Sequence, residues 1–494
     1  MNSPHSQDQF SLFAQRRFWP FFSTQFLGAF NDNLFKFAVT LLITYQWQVS
    51  WLPPALAGLV IGAVFILPFV VFSALSGQLA DHLDKAQILK WVKVFEVAVM
   101  GIAAVGFYAH STFILLICIF LMGLHSTVFG PAKYAYLPER LETSLLLGAN
   151  ALVEAGTFLA ILLGNLLGGL LMSTDVNPQS THIQIAWSCM ILGLIGLGCS
   201  LFIPRKSQAQ ASNPDAYTLY TASSEYTWRE DSVQPKNSSI QWNPIRQTIQ
   251  NLRESSAVPG MRAALLGISW MWFYGAVFLN IFPSFSKDLL NGNPSVASLL
   301  LFVFSLGIGS GALLCTSLKH PDYELGLVFL GLLGMSIFTF DLAYSVHLQA
   351  YGGSLFEMRD PHIFMRPLDA PLLSLDGFLT KSGSFHIVLD LCLLSGFTGV
   401  FSVPLYTFIQ TYSPQNTCAR TIAANNILNA LFMISSALIV GLLFFMGLTI
   451  TQVFLLLGFF NLLALFYLAT ELPELRIHFA STVRAWIRDF KNPF

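Results

Sequence analysis

Residues 128–139 read VFGPAKYAYLPE, and Gly148–Ala155 follow as GANALVEA; residues 400–414 read VFSVPLYTFIQTYSP, and Ala423–Ala430 follow as AANNILNA. Offsets of about 273–276 positions superpose Pro131 on Pro404, Asn150 on Asn425 and Glu154 on Asn429. Two unrelated apolar helices share a greasy composition, but they have no reason to keep a proline and two polar positions in step. The chain therefore repeats itself once, in parallel, across two halves.

What surrounds these segments is lipid-compatible. Of 494 residues, 54% are hydrophobic and 10% charged, whereas a soluble domain carries about 25% charged residues. A bilayer core of about 30 Å asks for roughly 20 apolar residues per helix. Twelve such stretches lie near 19–46, 54–80, 87–109, 111–132, 145–172, 183–203, 260–286, 295–318, 323–346, 385–411, 419–446 and 449–470. Turn residues mark the breaks: Pro53-Pro54, Asp81-His82, His110, Pro178 and Asn291-Gly292. The first run is too long for a signal peptide and has no small-residue cleavage site after it, so it is expected to stay.

Twenty of the 25 lysines and arginines fall on the side of the N-terminus if the helices alternate, among them Arg16, Arg17, Lys93, Lys133 and Arg140. Lys287, Arg359, Arg366 and Lys381 fall on the other. The positive-inside rule then predicts both termini in the cytoplasm. The expected organisation is a cytoplasmic tail (1–18), a six-helix bundle (19–203), a polar cytoplasmic linker (204–259), a second six-helix bundle (260–470) and an amphipathic cytoplasmic tail (471–494). A long external loop covers 347–384 inside the second bundle. The linker contains an amphipathic stretch at Ile245–Leu252, and the loop contains Met365, Leu372, Leu373 and Leu375, whose apolar side chains either fold onto the outer mouth or belong to a plain variable loop.

Net charge is −1, which argues against nucleic acid as a partner. The six cysteines lie in or beside apolar runs without CxxC spacing and read as packing residues. Neither a nucleotide loop, a nucleophile elbow nor a metal-ligand cluster is evident, so no catalytic residue, cofactor or metal is expected.

Ionisable side chains inside the hydrocarbon cost about 2.5–3.5 kcal/mol each even on the lenient insertion scale, and so they mark cavities and partners. The first span holds Asn31, Asp32 and Asn33, with Lys36 one turn on. Asp32 and Lys36 share one helix face and can neutralise each other. They form either a structural ion pair or a site for a zwitterionic headgroup; the two extra asparagines favour the second reading. His125 in the fourth span, Glu154 in the fifth and Asn429 in the eleventh are further candidates for substrate contact. Glu96, one turn from Lys93, reads as a snorkelling pair. Asp341 and Asp390 sit near outer helix ends, where a structural role is expected.

Gly77-Gln78-Leu79-Ala80-Asp81-His82-Leu83-Asp84-Lys85 resembles the cytoplasmic loop signature of the major facilitator superfamily, with His82 where arginine is usual. Gly77 permits close helix approach, and Asp81 can cap a helix or latch onto a cation. Gly77, Asp81 and Lys85 are thus expected to gate, together with Lys133, Asn150 and Asn425 of the repeat. Ala160-x3-Gly164-Asn165-x2-Gly168-Gly169 resembles the fifth-helix motif of superfamily antiporters, with Asn165 in place of proline; Gly164 and Gly168 allow backbone-to-backbone packing.

Gly28–Asn33, Pro131–Tyr134, Asn150/Glu154 with Ala160–Gly169, Val403–Leu405 and Ala423–Ala430 together resemble the bacterial lysophospholipid transporter family, from Phe18 to Leu472. The likeness runs to the variety that some bacteria fuse to a glycerolipid acyltransferase and an acyl ligase. It implies an all-α membrane protein: twelve transmembrane helices in two pseudo-symmetric six-helix bundles with a site between them. It implies a monomeric flippase of lysophospholipid in the inner membrane, delivering it to the inner leaflet for reacylation, with a separate acyltransferase as partner. Asp32 matches the first-helix acidic position of the family and Lys133 the basic residue of a PAKY loop. Asn280 stands where the standalone members carry a seventh-span arginine, and the HxxxxD acyltransferase motif is missing. The rival readings are a proton-coupled exporter of a drug, siderophore or other small metabolite, and a noncatalytic membrane partner that docks an acyltransferase.

Overall fold

The computed structural model describes residues 9–47, 49–52, 57–173, 178–205, 243–256, 258–318, 326–351, 372–413 and 417–472. Twelve long helices account for most of them: α1 (Trp19–Leu41), α2 (Ala57–His82), α3 (Lys85–Tyr108), α4 (Thr112–Arg140), α5 (Thr143–Ser173), α6 (Pro178–Leu201), α7 (Met261–Ser284), α8 (Pro294–Leu318), α9 (Gly326–Tyr351), α10 (Ser384–Tyr412), α11 (Cys418–Phe445) and α12 (Ile450–Glu471). Eleven are long and apolar enough to cross a membrane. The twelfth, α3, spans 24 residues and carries Lys85, Lys90, Lys93 and Glu96 in its first half. Large apolar side chains such as Phe113, Trp187, Leu438, Phe445 and Phe466 cover the outside, which is what lipid as solvent requires.

The breaks fall where turn chemistry puts them. Asp84 caps α3 by accepting the Gln87 N–H at 3.1 Å, and Pro178 opens α6. His110 and Asn291 take positive φ (51° and 54°) in the turns before α4 and α8. Both α1 and α7 continue into one π-turn, Leu42–Gln46 and Phe285–Leu289, a symmetry of geometry that the two sequences do not display.

The helices form two bundles with the same neighbour pattern. In the first, α1 lies on α5 and α6, α2 on α4, and α3 on α4 and α6; in the second, α7 lies on α11 and α12, α8 on α10, and α9 on α10 and α12. Across the middle, α2 meets α11 and α5 meets α8, each pair exchanged by the repeat. Helices α3, α6, α9 and α12 stay peripheral. Since α1 begins and α12 ends on the same side, that side is called the terminal face.

Several expectations need correction. Helix α4 runs unbroken through Pro131 and Pro138 to Arg140, so Lys133 lies inside a helix and not in a loop; in a bundle, neighbouring helices tolerate the backbone groups that proline frees. Lys93 and Lys133 are buried, so neither adds to the basic face. In the linker, Pro244–Ser256 is a helix, but its buried stripe is the polar one: Gln247, Asn251 and Ser255 turn inward against the ends of α2 and α11 while Ile249 is exposed. In the long loop, Leu373 exchanges backbone bonds with Asn291 (2.7 Å) and Asn293 (3.0 Å), tying a short helix, Leu375–Thr380, to the α7–α8 turn. Met365 and the tail from 473 onward lie outside the described residues.

Candidate functional site

The charged interior belongs to the first bundle. Near the middle of α1, Asp32 is 7% exposed, and its Oδ2 accepts the Ser126 hydroxyl of α4 at 2.5 Å. Its other oxygen finds no partner. Lys36, one turn on, sets its ammonium 3.9 Å from the centre of the Phe65 ring of α2. The expected Asp32–Lys36 ion pair does not form, because the Phe65 ring and the Ser126 hydroxyl each hold one of the two side chains.

Behind Asp32 lies a second group, sealed from solvent. Lys93 and Glu96 of α3 are 0% exposed and paired with each other. Glu96 also accepts the Asn31 amide at 2.8 Å and lies 3.1 Å from His125 Nε2. His125 Nδ1 is 3.4 Å from Ser126 Oγ, which closes a continuous polar chain back to Asp32. Glycines make the room: a Cβ at Gly196 would lie 2.7 Å from the Lys93 ammonium, and one at Gly28 would lie 3.4 Å from it. The snorkelling reading of Lys93 and Glu96 fails because α6 and α1 close over them. Asn31 and His125 turn into this group, and Asn33 donates to the Ala29 carbonyl at 2.7 Å, against α5.

A third group forms where the bundles meet. Lys133 lies 3.4 Å from both Gln25 Oε1 and Thr157 Oγ1, and over the Tyr134 ring. Tyr134 donates to Glu154 Oε2 at 3.4 Å and stacks on Tyr406 of α10, with centroids 4.6 Å apart and planes 4° off parallel. Trp272 in turn donates to Tyr406 at 3.2 Å. Glu154 Oε1 and Gln25 Nε2 are left without partners. Sequence reading missed Gln25, Tyr134 and Tyr406 as site residues; tyrosines in a membrane helix carry no signal until a partner from the other half is known.

The bonds between bundles cluster on the terminal side. Asp81 accepts from Arg420 Nε at 2.7 Å and from the Ala419 N–H at 3.0 Å. Asn150 exchanges amide bonds with Gln410 (2.7 and 3.0 Å) and donates to Thr407. Gly77 lies so close to α11 that a Cβ there would meet Ala423 and the Arg420 backbone within 3.0 Å. Lys85 instead pairs within its own bundle, with Glu139 at 2.5 Å. Asn425 does not cross either: it donates to the Leu265 carbonyl of α7 at 3.0 Å, and Ser269 donates to Asn429 at 2.8 Å. Gly164 and Gly168 seat α5 on α1, again inside one bundle.

Among the described residues, the group that could hold a metal ion is Asp341, His386 and Asp390, at the far ends of α9 and α10. His386 lies 3.1 Å from Asp341 and 3.5 Å from Asp390, and Ser345 donates to Asp390. These bonds tie α9 to α10, well away from Asp32.

The model of one family, the Major Facilitator Superfamily, matches residues 21–358. The chain belongs to that superfamily. Curated relatives at 30% identity are both called lysophospholipid transporter LplT: one from Pectobacterium carotovorum, over 194 residues (38% of this chain, 42% of the relative), and one from Escherichia fergusonii, over 187 residues (38% and 43%). The match thus spans about two fifths of the length of these relatives. Solved superfamily structures cover nearly everything at low identity. The human organic anion transporter MFSD10 aligns at TM-score 0.61 and 14% identity, over 94% of this chain and all of its own. A bacterial homologue of the iron transporter ferroportin, in its outward-facing state, aligns at 0.60 and 12%, over 93% and 98%. At such identities the likeness is one of superfamily fold.

Proposed function

We propose that the protein carries a lysophospholipid across the bacterial inner membrane, from outer to inner leaflet, by alternating access of its two bundles. The observation that carries the reading is the pairing of a charged wall with a one-sided seal. Asp32 and Lys36 present opposite charges from one helix without forming a direct ion pair, an arrangement that suits a zwitterionic headgroup. The second bundle contributes neutral groups, among them Trp272, Phe273, Ser269 and Asn429, and its apolar side chains suit an acyl chain. The similarity to the LplT transporters gives independent support for this class of substrate.

The terminal face is the cytoplasmic one in this reading, so the contacts that hold the bundles together there close the cytoplasmic side. The headgroup enters beside Asp32, with its ammonium on the carboxylate and its phosphate on Lys36. Release of the Asp81–Arg420, Asn150–Gln410 and Tyr134–Tyr406 contacts then opens the other side. The lipid is delivered for reacylation by a separate acyltransferase. Replacing Asp32 with Ala abolishes movement of labelled lysophosphatidylethanolamine into spheroplasts; normal movement in a well-expressed Asp32→Ala protein defeats the headgroup role.

A further inference from the structure

The geometry points to a binding site for a divalent transition-metal ion, with Zn2+ the best fit, at Asp341, His386 and Asp390, where the ion clamps α9 to α10. The site stands apart from the transport reading and shares no residue with it.

Sequence spacing shows only part of it. His386 and Asp390 are four positions apart, so one face of α10 presents both. The same spacing sets two ligands on one side of the metal in helical zinc sites. Asp341 comes from α9, 45 positions before His386, and only folding brings it to them. One ligand atom from each residue then lies within 4.8 Å of the other two. His386 Nε2 is 3.1 Å from Asp341 Oδ2 and 3.5 Å from Asp390 Oδ1. Zinc bonds of about 2.0–2.1 Å at tetrahedral angles place neighbouring ligand atoms about 3.3 Å apart. That spacing falls between the two distances, so small side-chain movements seat an ion.

The surroundings distinguish these three residues from a chance surface cluster. The Asp390 side chain is 2% exposed, and the Ser345 hydroxyl engages its Oδ2 at 3.1 Å, which leaves Oδ1 turned to the ring. Metal-binding carboxylates are held by neighbours in this way. The His386 and Asp341 side chains are 51% and 40% exposed, so an ion enters from the far face and water completes its coordination. Among the described residues, His386 is the one basic side chain within ion-pair distance of either carboxylate. Two carboxylates thus divide a single imidazole between them, whereas a divalent ion satisfies both. The nitrogen selects for zinc and its neighbours, since magnesium and calcium take oxygen ligands.

Position gives the ion its effect. Helices α9 and α10 flank the long loop, so the clamp closes 45 positions of chain at their base. Cross-links across long loops have the most to gain. The Leu373 bonds to Asn291 and Asn293 already tie this loop to the α7–α8 turn, and the ion adds a second anchor. Binding to the folded chain then adds directly to its stability.

The test uses the full chain in detergent, with its affinity tag removed and bound metal stripped by a chelator, titrated with Zn2+ alone. One ion per chain is expected at micromolar zinc, with the melting temperature raised by several degrees. Cu2+ in place of zinc is expected to show imidazole-nitrogen splitting in its EPR spectrum. His386→Ala and, separately, Asp341→Asn should each weaken zinc binding by at least about tenfold and remove the thermal shift. Both side chains reach solvent, so the metal-free variants should melt close to wild type. Absence of binding at micromolar zinc overturns the site, and so does binding that both variants retain. Binding of one ion with no rise in melting temperature overturns the clamp.

Discussion

At the scale of single residues, the first bundle stores charge where hydrocarbon would forbid it. Lys93 and Glu96 survive at zero exposure because they pair with each other, while Glu96 also accepts the Asn31 amide and lies beside the His125 ring. Such a pair adds little stability over an apolar equivalent, yet removing one partner strands the other. Lys93→Ala is therefore expected to destabilise the protein by about 3–5 kcal/mol, read as a lowered unfolding midpoint in detergent. The paired change Lys93→Met with Glu96→Gln should lose much less, since it removes both charges. A double mutant no better than Lys93→Ala would mean that the two side chains do not share their energy. The sequence located these residues but misjudged them, since depth along a helix is visible in a sequence and the helices that close over it are not.

At the scale of elements, glycine decides which helices approach. Gly77 and Gly164 look alike in sequence but do different work. A Cβ at Gly164 would fall 2.6 Å from the Phe30 carbonyl oxygen of α1, inside one bundle; a Cβ at Gly77 would fall against α11, in the other. Overpacking costs about 1–3 kcal/mol. Gly164→Val should charge that cost to folding and lower the melting temperature. Gly77→Val should instead charge it to closure, leaving the folded yield near that of wild type while transport falls. Equal melting losses from the two would refute this division. The repeat itself was legible in the sequence, but which helices meet across it, α2 with α11 and α5 with α8, was not. Nor was the unbroken course of α4, because proline reads as a break until neighbouring helices are present.

For the whole molecule, the question is what holds the terminal face shut. Asp81 joins the bundles through the Arg420 side chain and the Ala419 amide, close to Cys418, which is buried at the start of α11. In a protein whose other cysteines are replaced, Asp81→Arg should sharply speed maleimide labelling of Cys418. Adding Arg420→Asp should slow it again, though not fully, since the Ala419 bond is not regained. Labelling that is slow in all three proteins would show that this latch does not control opening.

The sequence by itself determined the number of spans, the repeat and the place of Asp32, because hydrophobic length, proline position and buried charge are written along one helix at a time. Tertiary structure alone decided that Lys36 leaves Asp32 for Phe65, that His125 joins Glu96 and that Tyr134 finds Tyr406. Each of those choices depends on the distance between side chains on different helices, and no single helix encodes it.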